Sequence, residues 1–440
     1  MRGTAIWAAG LAVGAALCLA PRAEAQIALS DVNARIAAVS PQVTAWRRDL
    51  HQNPELGNRE TRTARLVAQH LRRLGIEVRT GIGVTGVVGV LRGARPGPVI
   101  ALRADMDALP VEEQTGLAFA SRARGVFNGA DTPVAHACGH DAHTAMLMGA
   151  AEVLAGLRAS LSGTIVFIFQ PAEEGAPAGE RGGASFMIDQ GALSDPAPSA
   201  IFGLHVVPGA PGTIVYRSEG FMAAADQIHI DLHGRQTHGA WPWQGIDVIS
   251  LSSAIVSELN TVAARTVDVT RTPTVLTIAT IHGGVRYNII PEDVTLTGTL
   301  RTFDAAQRDA IKARIERTVA NLAASYGARA EVRFIESGPV TFNNPALTAW
   351  AGPALREAAG EANVNANAAP TTVSEDFSYF QQRIPGLFVH LGASADGADP
   401  AASPPNHSPR FDVNERVLPL GVRAHVLMAV RDLESGGLAR

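Results

Sequence analysis

Cysteine is nearly absent from this sequence, which has only Cys18 and Cys138 in 440 residues. Cys18 lies in an apolar N-terminal segment, so Cys138 is the only thiol in the rest of the chain. This count excludes a disulfide framework within the chain. A single thiol in an oxidising compartment is a liability unless a metal ion or a buried apolar environment holds it. His136 and His140 lie two residues away on either side of Cys138. These neighbouring imidazoles favour metal binding by the thiol over burial in an apolar environment.

The sequence also lacks an excess of positive charge and long apolar runs beyond its N-terminus. Its formal net charge is −4, which argues against a nucleic-acid partner, because such proteins present a basic face. No later run is apolar for the roughly 20 residues that cross a bilayer. Apolar residues make up 46% and charged residues 18% of the chain, as in soluble globular proteins. The chain is too long for one ordinary hydrophobic core, which predicts two domains.

The N-terminus has the pattern of a secretory signal. Arg2 supplies a positive charge, residues 6–20 are apolar, and Ala23-Glu24-Ala25 fits the small-x-small cleavage site. We predict that residues 1–25 are removed before Gln26 and that the protein is exported, to the periplasm or beyond. The alternative is an uncleaved membrane anchor, but a run of about 15 apolar residues is short for a membrane span.

The pattern along the chain predicts an α/β fold of two domains. A catalytic domain with a central mixed sheet is interrupted by a smaller α+β lid domain with an antiparallel sheet. The predicted strands of the first part are 86–91, 99–102, 165–169 and 200–205, and its helices are 43–74 (broken at Asn53-Pro54), 142–157 and 184–190. The lid is predicted to contain strands 226–232, 274–280, 294–299 and 331–335 and helices 246–264 and 305–326. Strand 387–391 and helix 417–433 complete the catalytic domain. The predicted boundaries are 26–220 and 337–440 for the catalytic domain and 221–336 for the lid.

Residues 136–143 concentrate ligand-type side chains. One thiol, three imidazoles and a carboxylate occur in eight residues. Thiolate and imidazole suit a borderline-soft divalent cation such as zinc, and carboxylates extend the choice to harder metals. Cys138 and His140 are the strongest ligand candidates of this segment.

Further candidates follow the apolar strands, at the edge where an α/β sheet carries its functional residues. Glu173-Glu174 comes soon after strand 165–169. If this segment is extended, the two carboxylates point to opposite sides, so one can bind metal while the other activates water. His205 closes strand 200–205 and is a further ligand candidate. Asp105 and Asp107 follow strand 99–102. They could bind metal themselves or orient ligating histidines, and we expect the second role.

Four motifs together resemble the aminoacylase/carboxypeptidase family of dinuclear metallopeptidases, and more closely its amidohydrolase branch, which includes hippurate hydrolases and auxin–amino acid conjugate hydrolases. The motifs are 136–143 (His-Ala-Cys-Gly-His-Asp-Ala-His), 170–174 (Gln-Pro-Ala-Glu-Glu), 374–380 (Ser-Glu-Asp-Phe-Ser-Tyr-Phe) and 406–408 (Asn-His-Ser). Matching segments extend from about residue 43 to the C-terminus.

The resemblance implies a two-metal centre and a role for each matching residue. The implied ligands are Cys138, His140, Glu174, His205 and His407, with one to two ions of Zn, Mn, Co or Ni per chain. It also implies Glu173 as general base and acid and His238 as the lid histidine that stabilises the oxyanion, in relatives sometimes from the partner subunit. Asn288 and Arg301 match residues that hold the substrate carboxylate, for which the planar guanidinium is well suited. A homodimer or larger oligomer through the lid is implied as well.

The sequence also departs from its relatives. Trp243 stands where many relatives have His, which leaves the lid wall more aromatic. Asp105 stands where other branches carry a metal-binding His. The loop 396–409 around His407 is longer than in other versions.

We therefore predict a metal-dependent amidohydrolase that cleaves N-acyl amino acids or related small amides. One alternative is a carboxypeptidase or dipeptidase that uses the same site. A second alternative is a thiol hydrolase with Cys138 as nucleophile. This mechanism would give Glu173-Glu174 no catalytic role. A third is an inactive binding protein that retains the fold, against which the intact ligand set argues.

Overall fold

The computed structural model describes residues 27–268 and 272–437. The predicted secretory signal, residues 1–25, lies outside this part of the chain and stays a prediction. Within the described ranges, no helix combines the length and the apolar character that a membrane crossing requires.

Helices and strands alternate along the described residues. The helices are α1 (Leu29–Gln52), α2 (Thr61–Arg73), α3 (His140–Gly156), α4 (Gly183–Asp189), α5 (Val248–Arg265), α6 (Ala305–Tyr326), α7 (Pro345–Ala359), α8 (Ser378–Gln381) and α9 (Leu418–Ser435). The strands are β1 (Glu77–Ile82), β2 (Gly86–Arg92), β3 (Arg95–Asp105), β4 (Arg124–Phe127), β5 (Ala130–Pro133), β6 (Ser162–Gln170), β7 (Ala200–Val207), β8 (Ile214–Val215), β9 (Glu219–Met222), β10 (Ala224–His233), β11 (Thr237–His238), β12 (Thr274–Gly283), β13 (Ile289–Ile290), β14 (Asp293–Thr302), β15 (Arg329–Gly338), β16 (Thr341–Asn343), β17 (Val364–Asn365) and β18 (Gly386–Gly392).

An eight-stranded mixed sheet organises the larger domain, in the order β1-β2-β6-β3-β7-β18-β8-β17. Its central strands β6, β3, β7 and β18 are parallel. Successive side chains of β3 face opposite cores: Ile100 and Leu102 pack on the side of α1, α3 and α9, whereas Ala101 packs on the side of α4 and α8. Because both faces are covered, the central strands are almost continuously apolar, as their sequences predict.

The parallel strands end at one edge of this sheet. Asp105, the last residue of β3, pairs with Gln170, the last residue of β6, and His205 on β7 pairs with His390 on β18. Side chains that follow these strands are therefore brought to a common place, where the crevice of an α/β sheet binds its ligands.

The smaller domain contains a four-stranded antiparallel sheet, in the order β12-β14-β10-β15. Ile228, Ile230 and Leu232 alternate along β10 and are fully buried against α5 and α6. Asp247 begins α5, where its carboxylate accepts hydrogen bonds from the backbone N–H groups of Ile249 and Ser250. The predicted lid architecture of two helices on an antiparallel sheet is confirmed, while its limits at residues 221 and 336 stay predictions.

Two predicted helix limits are corrected by the structure. Helix α3 begins at His140 rather than at residue 142, so it starts inside the ligand-rich segment instead of after it. The predicted break at Asn53-Pro54 is confirmed, but α1 extends back to Leu29 because its apolar face continues through Val32, Ile36 and Val39, all of which are buried.

Candidate metal and catalytic site

A sharp turn before α3 presents the first two candidate ligands. Gly139 lies between Cys138 and His140 with φ of 99°, in the left-handed region that favours glycine. A Cβ added here would lie 2.3 Å from Cγ2 of Val206 on β7. The Cys-Gly-His sequence therefore lets the chain pass close to β7, and the Cys138 and His140 side chains both reach His205 on that strand.

A second turn presents Glu173 and Glu174. The segment was expected to be extended, but the two residues lie in a turn that follows β6. Ala172 precedes them in the left-handed region, with φ of 51°, and its N–H donates to Oε1 of the buried Glu60 at 2.8 Å. Glu60 gave no signal in the sequence analysis, because its only local role there is to precede α2.

Five predicted ligands converge at the sheet edge. Sγ of Cys138 lies 3.3 Å from Nε2 of His205, and Nε2 of His407 lies 2.9 Å from Oε1 of Glu174. Three overlapping groups each have all their ligand atoms within 4.8 Å of one another: Cys138, His140 and His205; Cys138, Glu174 and His407; and His140, Glu173 and Glu174. We refer to Cys138, His140, Glu174, His205 and His407 as the ligand cluster.

The two buried imidazoles of the cluster are oriented through their Nδ1 atoms. Nδ1 of His140 lies 3.2 Å from Oδ1 of Asp107, and Nδ1 of His205 lies 2.7 Å from the backbone oxygen of Val206. Nε2 of His140 is buried without a hydrogen-bond partner. An unpaired buried nitrogen next to thiol and carboxylate donors is what a divalent cation would satisfy. Asp107 also accepts the N–H of Glu174 at 3.0 Å, so it has the predicted orienting contacts.

Asp105 orients a different imidazole. Its Oδ1 lies 2.6 Å from Nδ1 of His143, and its Oδ2 accepts from Arg103 at 2.6 Å. Nε2 of His143 in turn accepts the N–H of Val206 at 2.8 Å. Both ring nitrogens of His143 are therefore engaged, which explains why this third imidazole of the motif lies among the ligands without joining them.

The site carries more negative than positive charge. Burial raises the pKa of Glu173 well above its usual value, and the nearby carboxylates of Glu375 and Glu174 raise it further. Burial likewise raises the pKa of the Cys138 thiol, and Glu174 adds to this effect. Burial also lowers the pKa of His205. A thiolate–imidazolium pair between Cys138 and His205 is therefore disfavoured, which argues against the thiol-hydrolase alternative.

Behind Glu173 lies a buried ionic group that the sequence analysis did not assign. The Arg103 guanidinium lies 2.9 Å from Glu375 and 3.0 Å from Asp376, in addition to its contact with Asp105. The N–H of Asp376 points to Oε1 of Glu173 at 3.4 Å. The available signal was the pair of acidic residues in motif 374–380, but their partner is 273 positions away in the chain.

The predicted lid residues are only partly brought to the site. Nη1 of Arg301 on β14 donates to Oγ of Ser374 at 3.3 Å, next to the acidic pair Glu375-Asp376. His238 and Asn288 lie together on the short β11–β13 region, where Gly239 donates to the backbone oxygen of Asn288. Among the described residues, no hydrogen bond, ion pair or ring contact joins His238 to the ligand cluster. Its Nδ1 accepts the N–H of Ala240 at 3.0 Å, and its ring contacts Trp241.

The chain matches a known protein family over most of its length. The model of peptidase family M20/M25/M40 matches residues 101–431, a range that contains every ligand-cluster residue. The chain belongs to this family. It is therefore a hydrolase of the amidohydrolase and metallopeptidase type, and its two-domain α/β architecture is that of the family.

Individual relatives are similar over nearly the whole chain. Thermostable carboxypeptidase 2 of Saccharolobus solfataricus is 41% identical over 388 residues, which cover 88% of this chain and 94% of that protein. IAA-amino acid hydrolase ILR1-like 2 of Arabidopsis thaliana is 37% identical over 90% of this chain and 87% of its own length.

A solved structure supports the same relationship. A dinuclear metal-binding peptidase of the M20 family from Bacillus subtilis superposes with a TM-score of 0.75 at 34% identity, covering 90% of this chain and 99% of that one. Members of the family thus include both peptidases and amide-conjugate hydrolases.

Proposed function

We propose that this M20-family chain is a metal-dependent amidohydrolase that cleaves the amide bond of N-acyl amino acids or related small amides. The convergence of the ligand cluster beside Glu173 carries this proposal. The similarity to an IAA-amino acid hydrolase supports the substrate class, because that relative is named for an amide conjugate of an amino acid.

Cys138, His140, Glu174, His205 and His407 would hold one to two divalent ions of Zn, Mn, Co or Ni. Their mixed thiolate, imidazole and carboxylate donors suit such cations. When bound, the metal supplies Lewis-acid polarisation of the amide carbonyl and lowers the pKa of water. The dinuclear metal-binding peptidase of Bacillus subtilis supports a two-metal centre here.

Glu173 would act as the proton carrier. It is next to a ligand in sequence, its side chain is 10% exposed, and burial together with nearby carboxylates favours its protonated form. Such a group can take a proton from the attacking water and return it to the leaving amine.

The lid would supply the groups that bind the rest of the substrate. Because Nδ1 of His238 accepts a backbone hydrogen bond, its proton is carried on Nε2, which is suited to donate to a developing oxyanion. Arg301 and Asn288 would hold the carboxylate of the amino acid. The Oδ1 atom of Asn288 is buried and has no hydrogen-bond partner, which favours a ligand contact.

We further propose that the protein is exported and forms a homodimer or larger oligomer through the lid. Trp241, Trp243 and Tyr287 are exposed near His238, and Trp243 has 75% of its surface accessible. An exposed aromatic group of this kind is typical of an interaction surface. Because His238 does not contact the ligand cluster of its own chain, it would act after lid movement or in the site of a second copy.

Carboxypeptidase activity is the second candidate, favoured by the 41% identity to a thermostable carboxypeptidase. The amidohydrolase and the carboxypeptidase would use the same metal chemistry. Their substrates differ in the group on the acyl side of the cleaved amide bond. Hydrolysis rates should be measured on N-acetyl and N-benzoyl amino acids and on dipeptides, with metal content determined on the same sample. The proposal expects faster turnover of acyl amino acids and loss of activity on chelation. Faster turnover of peptides would favour the carboxypeptidase, and full activity without metal would refute both.

A further inference from the structure

The side-chain amide of Asn406 joins three segments that carry ligands. Its Nδ2 donates to the backbone oxygen of Cys138 at 3.0 Å and to that of Val206 at 3.1 Å, and it lies 3.8 Å from Sγ of Cys138. Asn406 itself precedes His407. One amide group therefore connects the turn before α3, the end of β7 and the loop 396–409.

The carbonyl of Val206 is shared with a ligand. It accepts Nδ1 of His205 at 2.7 Å as well as Nδ2 of Asn406. The hydrogen bond from Nδ1 leaves Nε2 of His205 directed at Sγ of Cys138. A displacement of this carbonyl would thus move the His205 ring. By holding the carbonyl in place, the Asn406 amide fixes the position of the ring as well as that of the backbone.

The neighbouring His407 adopts a backbone conformation that needs external support. Its φ is 71°, in the left-handed region, which is unfavourable for a residue with a side chain. Its N–H donates to the backbone oxygen of Ala137 at 2.7 Å. Strained conformations of this kind persist where surrounding contacts hold them. Here the contacts from residues 406 and 407 reach two successive carbonyls, those of Ala137 and Cys138.

We infer that Asn406 is a positioning residue, which holds Cys138, His205 and His407 in their mutual arrangement before metal binds. The inference rests on the proposed metal-dependent function. The side-chain contacts of Asn406 are with two backbone carbonyls and with Sγ of Cys138. Asn406 acts through its two N–H donors, which no aliphatic or carboxylate side chain of the same size can replace.

The test compares Asn406→Leu and Asn406→Asp with Asn414→Leu in the full exported protein. Asn414 is a matched control because its Nδ2 also donates to a backbone carbonyl, that of Ser394 at 3.1 Å, and to Asp396 at 3.0 Å. Ser394 lies outside the three ligand-carrying segments, and Asp396 begins the loop 396–409 but is about 11 residues from His407, so neither acceptor adjoins a ligand. Zinc affinity of the metal-stripped proteins is measured by competition with a chromophoric chelator, and unfolding by urea is measured without metal. Cobalt-loaded samples report the thiolate-to-metal absorption band of Cys138.

We expect both Asn406 variants to lose about 10- to 100-fold in zinc affinity, the usual effect of removing a group that orients ligands. Their cobalt band should shift or weaken, whereas Asn414→Leu keeps wild-type affinity and spectrum. The urea midpoints of the metal-free Asn406 variants should fall no further than that of Asn414→Leu.

Wild-type zinc affinity and an unchanged cobalt spectrum in Asn406→Leu would overturn the inference while leaving the proposed function intact. An equal loss of affinity in Asn414→Leu would also overturn it, because the effect would then be general. A wild-type protein that binds no metal would refute the proposed function and this inference together.

Discussion

At the scale of single residues, the adjacent glutamates Glu173 and Glu174 have different surroundings. Glu174 contacts His407, and its backbone N–H donates to Asp107, whereas Glu173 is near the buried carboxylates of Glu375 and Asp376. Both glutamates lie in the turn after β6 and near His140, and they nevertheless have different further partners. This difference makes the roles of the two residues separable by experiment.

We predict that Glu173→Gln retains metal and fold but loses about 10²–10⁴-fold in kcat, because an amide cannot transfer the proton. Metal content, circular dichroism and initial rates test this prediction. Glu174→Gln is the control, and it should lose both activity and bound metal. Near wild-type turnover of Glu173→Gln would show that another group carries the proton.

Arg301 offers a second prediction at this scale. Its guanidinium lies at the junction of the lid and the loop around Ser374, where it can face a substrate carboxylate. Arg301→Ala should raise KM for acyl amino acids by at least about 10-fold, the loss of one charged hydrogen bond of about 1.5–3 kcal/mol. The corresponding amino acid amides should be little affected, because they lack the charge.

The control for Arg301 is Arg333→Ala on the same lid sheet. Arg333 is exposed and pairs with Asp231, so its removal should affect neither class of substrate. Equal damage to acids and amides by Arg301→Ala would indicate a structural role for Arg301 and would remove support for the substrate class.

At the scale of elements, the start of α3 depends on a glycine. Gly139→Ala places a methyl group 2.3 Å from Val206 in a backbone conformation that costs about 1–2 kcal/mol for a residue with Cβ. Overpacking adds about 1–3 kcal/mol. We predict a loss of about 2–5 kcal/mol in the free energy of unfolding and weaker metal binding, measured by urea unfolding and chelator competition.

Gly129→Ala separates the two contributions. Gly129 also has a positive φ, 83°, but a Cβ there meets no atom within 4 Å. Its replacement should cost only the backbone contribution and leave metal affinity unchanged. If the two variants lose the same stability, the close approach of the Cys138–His140 turn to β7 does not matter.

At the scale of the whole molecule, buried charges connect α1, α3 and the loops around the site. Nδ1 of His51 lies 2.8 Å from Asp141, and its Nε2 lies 3.0 Å from Glu113. Arg47 contacts Asp141 at 2.9 Å and Asp412 at 2.7 Å. These contacts link the N-terminal helix to the segment that contains His140 and to the segment that follows His407.

The charge state of His51 makes stability depend on pH. Burial opposes its protonation, but the Asp141 carboxylate prevails and raises the pKa of His51 to about 9. A raised pKa stabilises the fold fully below the unfolded pKa of about 6.5, and this stabilisation is lost as the pH rises through 9. We predict that the difference in unfolding free energy between wild type and His51→Gln shrinks by about 3 kcal/mol between pH 6 and pH 10.

Urea unfolding with excess chelator measures this difference without a contribution from metal. His70→Gln is a control of opposite sign, because burial lowers the pKa of His70 to about 4, so that it stays neutral in the native protein while the unfolded chain binds a proton near pH 6.5. The difference between wild type and His70→Gln should therefore grow by about 1 kcal/mol from pH 6 to pH 10. A difference for His51→Gln that does not shrink would mean that His51 is not protonated in the native protein.

Much of the fold and of the ligand cluster could be predicted from sequence, because both depend on local patterns. Apolar runs predicted the buried strands β3, β6 and β7, and alternation predicted β10. Since parallel strands end at one edge, the residues there were expected to lie close together, and Glu174 and His205 both lie near Cys138. The thiol and imidazoles of residues 136–143 indicated a metal site before any geometry was available.

Tertiary structure decided which partner each of these side chains has. Asp107 faces His140 while Asp105 faces His143, and sequence spacing contains no information that distinguishes these pairs. The contacts of Glu60 with Ala172, of Arg103 with Gln170 and Asp376, and of Asn406 with Cys138 join residues between 67 and 273 positions apart, so no local pattern predicts them. The sequence thus determined which chemical groups reach the sheet edge, because strand periodicity and residue type are local. Their orientation was decided by the packing of distant segments, because each hydrogen bond needs a partner at a particular place in space.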